Sequence, residues 1–175
     1  MDEIFKNNTY KILELFIEFP NKDFSIRGIA RNLKLNHATI LKHIKNLEKA
    51  ELIKKKEETL YPTFYANTEN KKYRLYKKNY ITSKIINSDL IKFLQEKTLA
   101  SLIILFGSCA KATFNENSDI DIFVEAKKSN IDLSKYEKKL NRKINILFEE
   151  DINNLSKELK NNILNGVILH GFLRF

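Results

Sequence analysis

Residues 106–124 read FGSCAKATFNENSDIDIFV. An apolar run from Ala100 to Phe106 leads into Gly107-Ser108, a polar stretch follows, and Asp119 and Asp121 then stand one residue apart at the head of a second apolar run ending at Val124. The first run reads as a strand, Gly107-Ser108 as a turn, Cys109 to Thr113 as the start of a helix, and 119–124 as a second strand. Strand side chains alternate, so Asp119 and Asp121 share one face while Ile120 and Ile122 point to the core. Gly107 lets the backbone approach a phosphate, Ser108 adds a hydroxyl and an N–H, and the helix start adds partial positive charge. Two carboxylates facing such a turn suit Mg²⁺, which prefers oxygen ligands and is commonly held by one or two carboxylates plus substrate phosphates. A pair of such ions, about 3.5–4 Å apart, would clamp the attacking and leaving oxygens of an in-line displacement. Lys111 and Ser118 join Gly107 and Ser108 as candidate nucleotide contacts. Each piece alone is commonplace; the combination, with ten residues between FGS and DID, is not.

The stretch LIILFGSCAKATFNENSDIDIFVE, residues 102–125, resembles the minimal nucleotidyltransferases, a branch of the DNA polymerase β-like superfamily with an α/β fold. The resemblance covers about residues 86 to 175. It implies ATP or another NTP with Mg²⁺ and transfer of a nucleotidyl group to an acceptor hydroxyl, with Asp119 and Asp121 as metal ligands. Two positions depart from the pattern. The family often carries a second glycine where Ala112 stands, a change expected to narrow the phosphate pocket. The family also places a third carboxylate on a later strand, and the matching place in KINILFEE, residues 143–150, is Asn145. Asparagine offers a carbonyl to a metal but neither a negative charge nor a base. Its neighbours Ile144 and Ile146 supply no acid if the register slips by one. Glu149 shares the face of Asn145 but lies roughly 13 Å along an extended strand, and would need a bulge to substitute; Asp132 and Asp151 are weaker substitutes. The tail NNLSKELKNNILNGVILHGFLRF, residues 153–175, reads as a final amphipathic helix covering the sheet.

Upstream the periodicity is helical. Tyr10, Ile12, Leu13, Leu15, Phe16 and Phe19 recur at helical spacing from Thr9 to Phe19, closed by Pro20 and Asn21. Ser25 caps a second helix, IRGIARNLKL, whose Ile26, Ile29, Ala30 and Leu33 face inward. After a short break at Lys34-Leu35-Asn36, Asn36 caps a third, HATILKHIKNLEKAELI, expected to bury Ile40, Leu41, Ile44 and Leu47. Two short helices with a tight break read as helix-turn-helix. The outer face of the third carries His37, Thr39, Lys42, His43, Lys45, Asn46 and Lys49, which suits a phosphate-lined major groove. For any one lysine alone a solvated face is the plainer account. After Leu52 the period becomes two: LIKKK, a turn at Glu57-Glu58-Thr59, then LYPTFYAN, a two-stranded wing. The stretch SIRGIARNLKLNHATILKHIKNLEKAELIKKK, residues 25–56, resembles the winged helix-turn-helix regulators of archaea and bacteria, over about residues 8 to 68. That resemblance implies double-stranded DNA as partner, with Arg27, His37, Thr39, Lys42, Lys45, Asn46, Lys54, Lys55 and Lys56 as candidate contacts. A homodimer is expected, since such regulators often read two half-sites.

Charge divides the 175-residue chain along the same line. Residues 1–84 hold 18 basic and 10 acidic side chains, net +8, while residues 85–175 hold 13 and 12, net +1. The basic surface therefore belongs to the first half, and nucleic acid is its usual partner. A single cysteine, Cys109, cannot staple a fold, and the three histidines lack zinc-site spacing; a reducing cytoplasm fits. No apolar run approaches the roughly 20 residues that span a bilayer, so no membrane association is expected. With 4 Gly and 2 Pro there is no flexible tether, and helix is expected between the halves. The reading is an α+β chain of two domains. A winged helix-turn-helix domain (three helices and a β-hairpin wing) occupies 1–70, a helical connector 71–99, and a nucleotidyltransferase-like domain with a small mixed sheet 100–175. Two functions follow. One is a DNA-binding transcriptional regulator whose second domain binds Mg-NTP without a clear third catalytic carboxylate. The other is an active nucleotidyltransferase modifying a protein or small-molecule hydroxyl, in one form the antitoxin of a toxin pair.

Overall fold

The computed structural model describes residues 7–56 and 61–173. The chain forms two compact units, residues 1–77 and 78–175.

The first unit opens with α1 (Asn8–Glu18), where the Asn7 side chain accepts from the Thr9 N–H. Its apolar stripe buries Ile12, Leu13, Phe16 and Ile17. Helix α2 (Ile26–Leu33) is capped by Ser25, whose hydroxyl accepts from the Gly28 N–H. Helix α3 (His37–Lys49) is capped by Asn36, which accepts from the Thr39 N–H. Each such cap satisfies an orphan donor and is worth about 1 kcal/mol. Lys34 ends α2 in the left-handed region, φ 54°, which makes the break tight. Helix α3 buries Ile40, Ile44 and Leu47. Leu41, expected in that stripe, is 40% exposed: it lies one position, about 100° of helix, past Ile40 and at the border of the face.

The wing consists of β2 (Ile53–Lys56) and β3 (Thr63–Ala66), paired antiparallel with Lys55 opposite Phe64. The expected turn at Glu57-Glu58-Thr59 lies outside the described residues. The wing is not two-stranded: β1 (Phe24–Ser25) pairs with β3, Phe24 opposite Phe64, giving the order β1-β3-β2. Phe24 packs edge-on against Phe16 of α1, ring centroids 5.1 Å apart, which ties the added strand to the helical core.

Helix α4 (Lys71–Asn87) contains the division between units. In the first unit Tyr73, 1% exposed, donates from its hydroxyl to the Phe16 carbonyl at 2.8 Å. The second unit continues with α5 (Leu90–Thr98), β4 (Ile103–Phe106), α6 (Gly107–Lys111), β5 (Ile120–Glu125), α7 (Ser134–Leu140), β6 (Ile144–Glu149), a 3₁₀ turn (Ile152–Asn154), α8 (Lys157–Leu164) and β7 (Val167–His170). Its sheet has the order β6-β5-β4-β7. Strands β5 and β6 run parallel, while β4 is antiparallel to both β5 and β7. This is a small mixed sheet in an α+β chain.

The tail departs from expectation. Among its described residues the α-helix is confined to Lys157–Leu164; the chain then turns back as β7 against β4, Leu105 opposite Val167. Gly166 permits the reversal, because a Cβ there would overlap the Leu105 carbonyl oxygen. The β-branched run Val167-Ile168 then favours strand. Helix α8 does cover one sheet face: Ile163 joins Leu102, Ile104, Phe123 and Ile152 in a buried cluster, with Phe106, Leu147 and Leu159 packed on it. The opposite face is equally dry, with Ile103, Leu105, Ile120 and Ile122 all fully buried.

Candidate nucleotide and metal site

Register assembles the site. On β4–β5, Phe106 lies opposite Asp121; on β5–β6, Asp121 lies opposite Asn145. Residues directly opposite one another project to the same face, so Asp121 and Asn145 share the side on which Phe106 packs beneath α8. Gly107 follows Phe106 with φ +68°, and a Cβ built on it would overlap Asp121 Oδ2 and lie 3.3 Å from Asp121 Cγ. Glycine is therefore required twice, by the left-handed backbone and by contact with the carboxylate. Asp119 stands one residue before β5, half-buried like Asp121.

Asn145 closes the group. Its Nδ2 donates to Asp121 Oδ1 at 3.1 Å and to Asp119 Oδ2 at 3.3 Å. Two carboxylates on one face repel one another, and one amide nitrogen spans them and offsets that repulsion. Glu149 does not substitute for a third acid. Strand β6 runs without a bulge, Glu149 lies opposite Glu125 at its far end, and its carboxylate accepts from Asn154 Nδ2 and from the Glu150 N–H. The Asn154 bond, followed by the backbone one, holds that carboxyl below the usual range. Asp132 accepts from the Ser134 hydroxyl and N–H at the start of α7, and Asp151 from the Asn153 N–H in the 3₁₀ turn. Among the described residues no three His, Cys, Asp or Glu side chains gather where they could hold a metal ion. The donor set is thus two hard carboxylates and one amide: Asp119 and Asp121 could hold Mg²⁺, and the Asn145 carbonyl oxygen would join them only with the amide turned over.

The turn at Gly107-Ser108 differs in detail from expectation. Helix α6 begins at Gly107 itself and is five residues long, so it offers local N–H groups and little macrodipole. It ends at Ala112, φ 58°. There the cost of replacing the usual glycine is left-handed backbone strain of about 1–2 kcal/mol. Lys111, at the end of α6, lines a cleft of 530 Å³ with Asn161, Asn162 and Asn165 of the α8 region. Ser118 is committed to the loop before β5: its hydroxyl accepts from the Asn115 N–H at 3.0 Å. Sequence reasoning missed Arg142, 6% exposed, which donates to the Asn115 and Ser118 carbonyls and stacks 4.9 Å from the Phe114 ring. Nothing in the sequence marks it, because an arginine before a strand ordinarily reads as solvated.

In the first unit, His37, Lys42, Lys45 and Asn46 of α3 are exposed, as are Lys54, Lys55 and Lys56 of β2. Thr39 is half-buried. Lys56 pairs with Asp23 at 3.2 Å. His43 faces α1, its Nδ1 2.7 Å from Thr9 Oγ1. A groove of 340 Å³ brings Arg27 and His37 together with Arg31 and Tyr61, and the Arg27 guanidinium lies 5.4 Å from the Tyr61 ring centre. Arg31 was legible, standing four residues after Arg27 on the same helical face; Tyr61 was not, because its placement depends on the wing.

Comparison with known families agrees with this division. Residues 6–54 match the model described as Winged helix-turn-helix DNA-binding, and residues 88–170 the model described as Nucleotidyltransferase domain. No curated protein matches the chain. No helix among the described residues is long and apolar enough to cross a membrane. The chain is thus a fusion of a winged helix-turn-helix DNA-binding domain with a nucleotidyltransferase domain.

Proposed function

We propose that this protein is a DNA-binding transcriptional regulator whose nucleotidyltransferase domain binds ATP or another NTP with Mg²⁺ and transfers nucleotide slowly or not at all. The observation that carries the reading is Asn145 standing opposite Asp121. The family's resemblance places a third carboxylate there, and an amide can neither take a proton from an acceptor hydroxyl nor add negative charge. Gly107 and Ser108 would receive the phosphates, and Asp119 and Asp121 would hold Mg²⁺, which would offset the phosphate charge. The +8 charge of residues 1–84 and the exposed basic side chains of α3 and β2 support duplex DNA as the partner of the first unit, and a homodimer would read two half-sites.

The test is incorporation of radiolabelled AMP from ATP, followed beside thermal melting. Wild type should melt higher with Mg·ATP, since a ligand bound only by the native state stabilises it. Asp119→Asn with Asp121→Asn should remove the Mg²⁺-dependent part of that rise. Wild type should show little or no incorporation, and Asn145→Asp should raise it, general-base help being worth about 10²–10⁴-fold. Robust wild-type incorporation that Asn145→Asp does not improve would favour the second reading. That reading is an active nucleotidyltransferase acting on a protein or small-molecule hydroxyl, as in a toxin–antitoxin pair; the intact contact of Gly107 with Asp121 is the observation on its side.

A further inference from the structure

We propose that Asn145 makes this a one-cation site, unable to assemble the pair of ions that in-line nucleotidyl transfer uses; the inference rests on the nucleotide reading above. A single amide nitrogen donates to both carboxylates, 3.1 Å to Asp121 Oδ1 and 3.3 Å to Asp119 Oδ2, while the other Asp121 oxygen lies against Gly107. Asn145 is itself exposed, so its amide is free to turn. To serve a cation it must turn its carbonyl oxygen inward and release both N–H bonds, so the amide competes with the metal for the same two acids.

The supply of acidic ligands sets the count. The phosphates of a bound nucleotide serve any cation at the site, so the protein's own acids decide how many are anchored, and Asp119 and Asp121 anchor one. A second ion about 3.5–4 Å from the first would find no further acid, because Glu149, Asp132 and Asp151 are engaged elsewhere and no third acidic side chain joins the group among the described residues. Asparagine at this position therefore selects binding over chemistry by limiting cation number, a distinct effect from the loss of a base.

Equilibrium dialysis of the full chain with Mn²⁺ and a non-hydrolysable ATP analogue, counting both retained on the protein, tests this. Wild type should hold one Mn²⁺ per bound nucleotide and Asn145→Asp two, with the mutant's affinity for Mn²⁺ alone higher by about tenfold or more. Asn145→Ala, which removes the amide without adding charge, should stay at one. Two Mn²⁺ per nucleotide on wild type overturns the proposal, and that count needs no mutant to fold. A count of one on both wild type and Asn145→Asp, the latter shown folded by its melting, overturns it as well. Nucleotide retained with no Mn²⁺ sinks the one-cation assignment alone. No nucleotide retained by wild type sinks the nucleotide reading and this inference together.

Discussion

Gly107 shows at the scale of one residue how backbone and chemistry are joined. Its φ of +68° and the overlap any Cβ would make with Asp121 Oδ2 mean that a methyl group must displace the carboxylate, strain the backbone, or both. Gly107→Ala is therefore expected to lower stability by about 1–3 kcal/mol and to remove the Mg²⁺-dependent rise in melting temperature with ATP. The second effect separates a site residue from a turn residue. A variant that melts lower yet keeps the full Mg·ATP shift would show that the close approach serves the fold alone. Asn145 makes the complementary point. Its identity could be read from the sequence, but its two donated hydrogen bonds depend on a parallel register between strands more than twenty residues apart, which no local pattern encodes.

At the scale of elements, the loop from Phe114 to Ser118 is held by a buried cation. Arg142 donates to the Asn115 and Ser118 carbonyls, the latter at 2.9 Å, and lies over Phe114. Arg142→Met keeps the apolar stem but removes the guanidinium from both carbonyls, leaving that of Asn115 its bond from the Ser118 N–H, a change expected to cost about 1–3 kcal/mol and visible as a lower urea midpoint. Because the loop delivers Asp119, the same variant should weaken Mg²⁺-dependent ATP binding; an unchanged midpoint would mean water replaces the guanidinium. Helix α3 offers the other test. Lys42 and Lys45 are exposed, and changing both to Ala should weaken duplex binding while reducing the slope of log affinity against log salt by about 2. A mobility-shift titration in which the double mutant retains wild-type affinity would remove α3 as the phosphate-binding helix. Most elements were legible, because caps at Ser25 and Asn36 and the Asp-x-Asp strand are local signals. Strand β1 was not: two residues carry no period, and Phe24-Ser25 is a strand only because Phe64 lies beside it. Strand β7 follows Asn165-Gly166, a turn dipeptide inside what otherwise reads as one amphipathic helix.

For the whole molecule, the question is whether the two units, with the partners proposed for them, act on each other. The fusion of a DNA-binding domain with a nucleotide domain has regulatory meaning only if one ligand changes affinity for the other, and linkage requires that change to be reciprocal. Couplings of this kind are typically about 1–3 kcal/mol, or roughly 5–150-fold in affinity. Under the regulator reading, saturating Mg·ATP should shift the midpoint of a duplex titration by at least about fivefold. The same duplex must then shift the midpoint of an ATP titration by the same factor and in the same sense. Asp119→Asn with Asp121→Asn should abolish both shifts while leaving duplex affinity in the absence of nucleotide near wild type, because those acids lie in the second unit. Fluorescence anisotropy with labelled duplex, repeated with labelled nucleotide, measures both arms at one salt concentration, which must be fixed because the +8 of residues 1–84 makes duplex affinity salt-dependent. Equal midpoints with and without Mg·ATP, in a protein shown to bind both ligands, would mean that the nucleotide domain does not govern DNA binding. The DNA-binding unit would then serve to bring a separate transfer activity to its site, and the enzyme reading would replace the regulator.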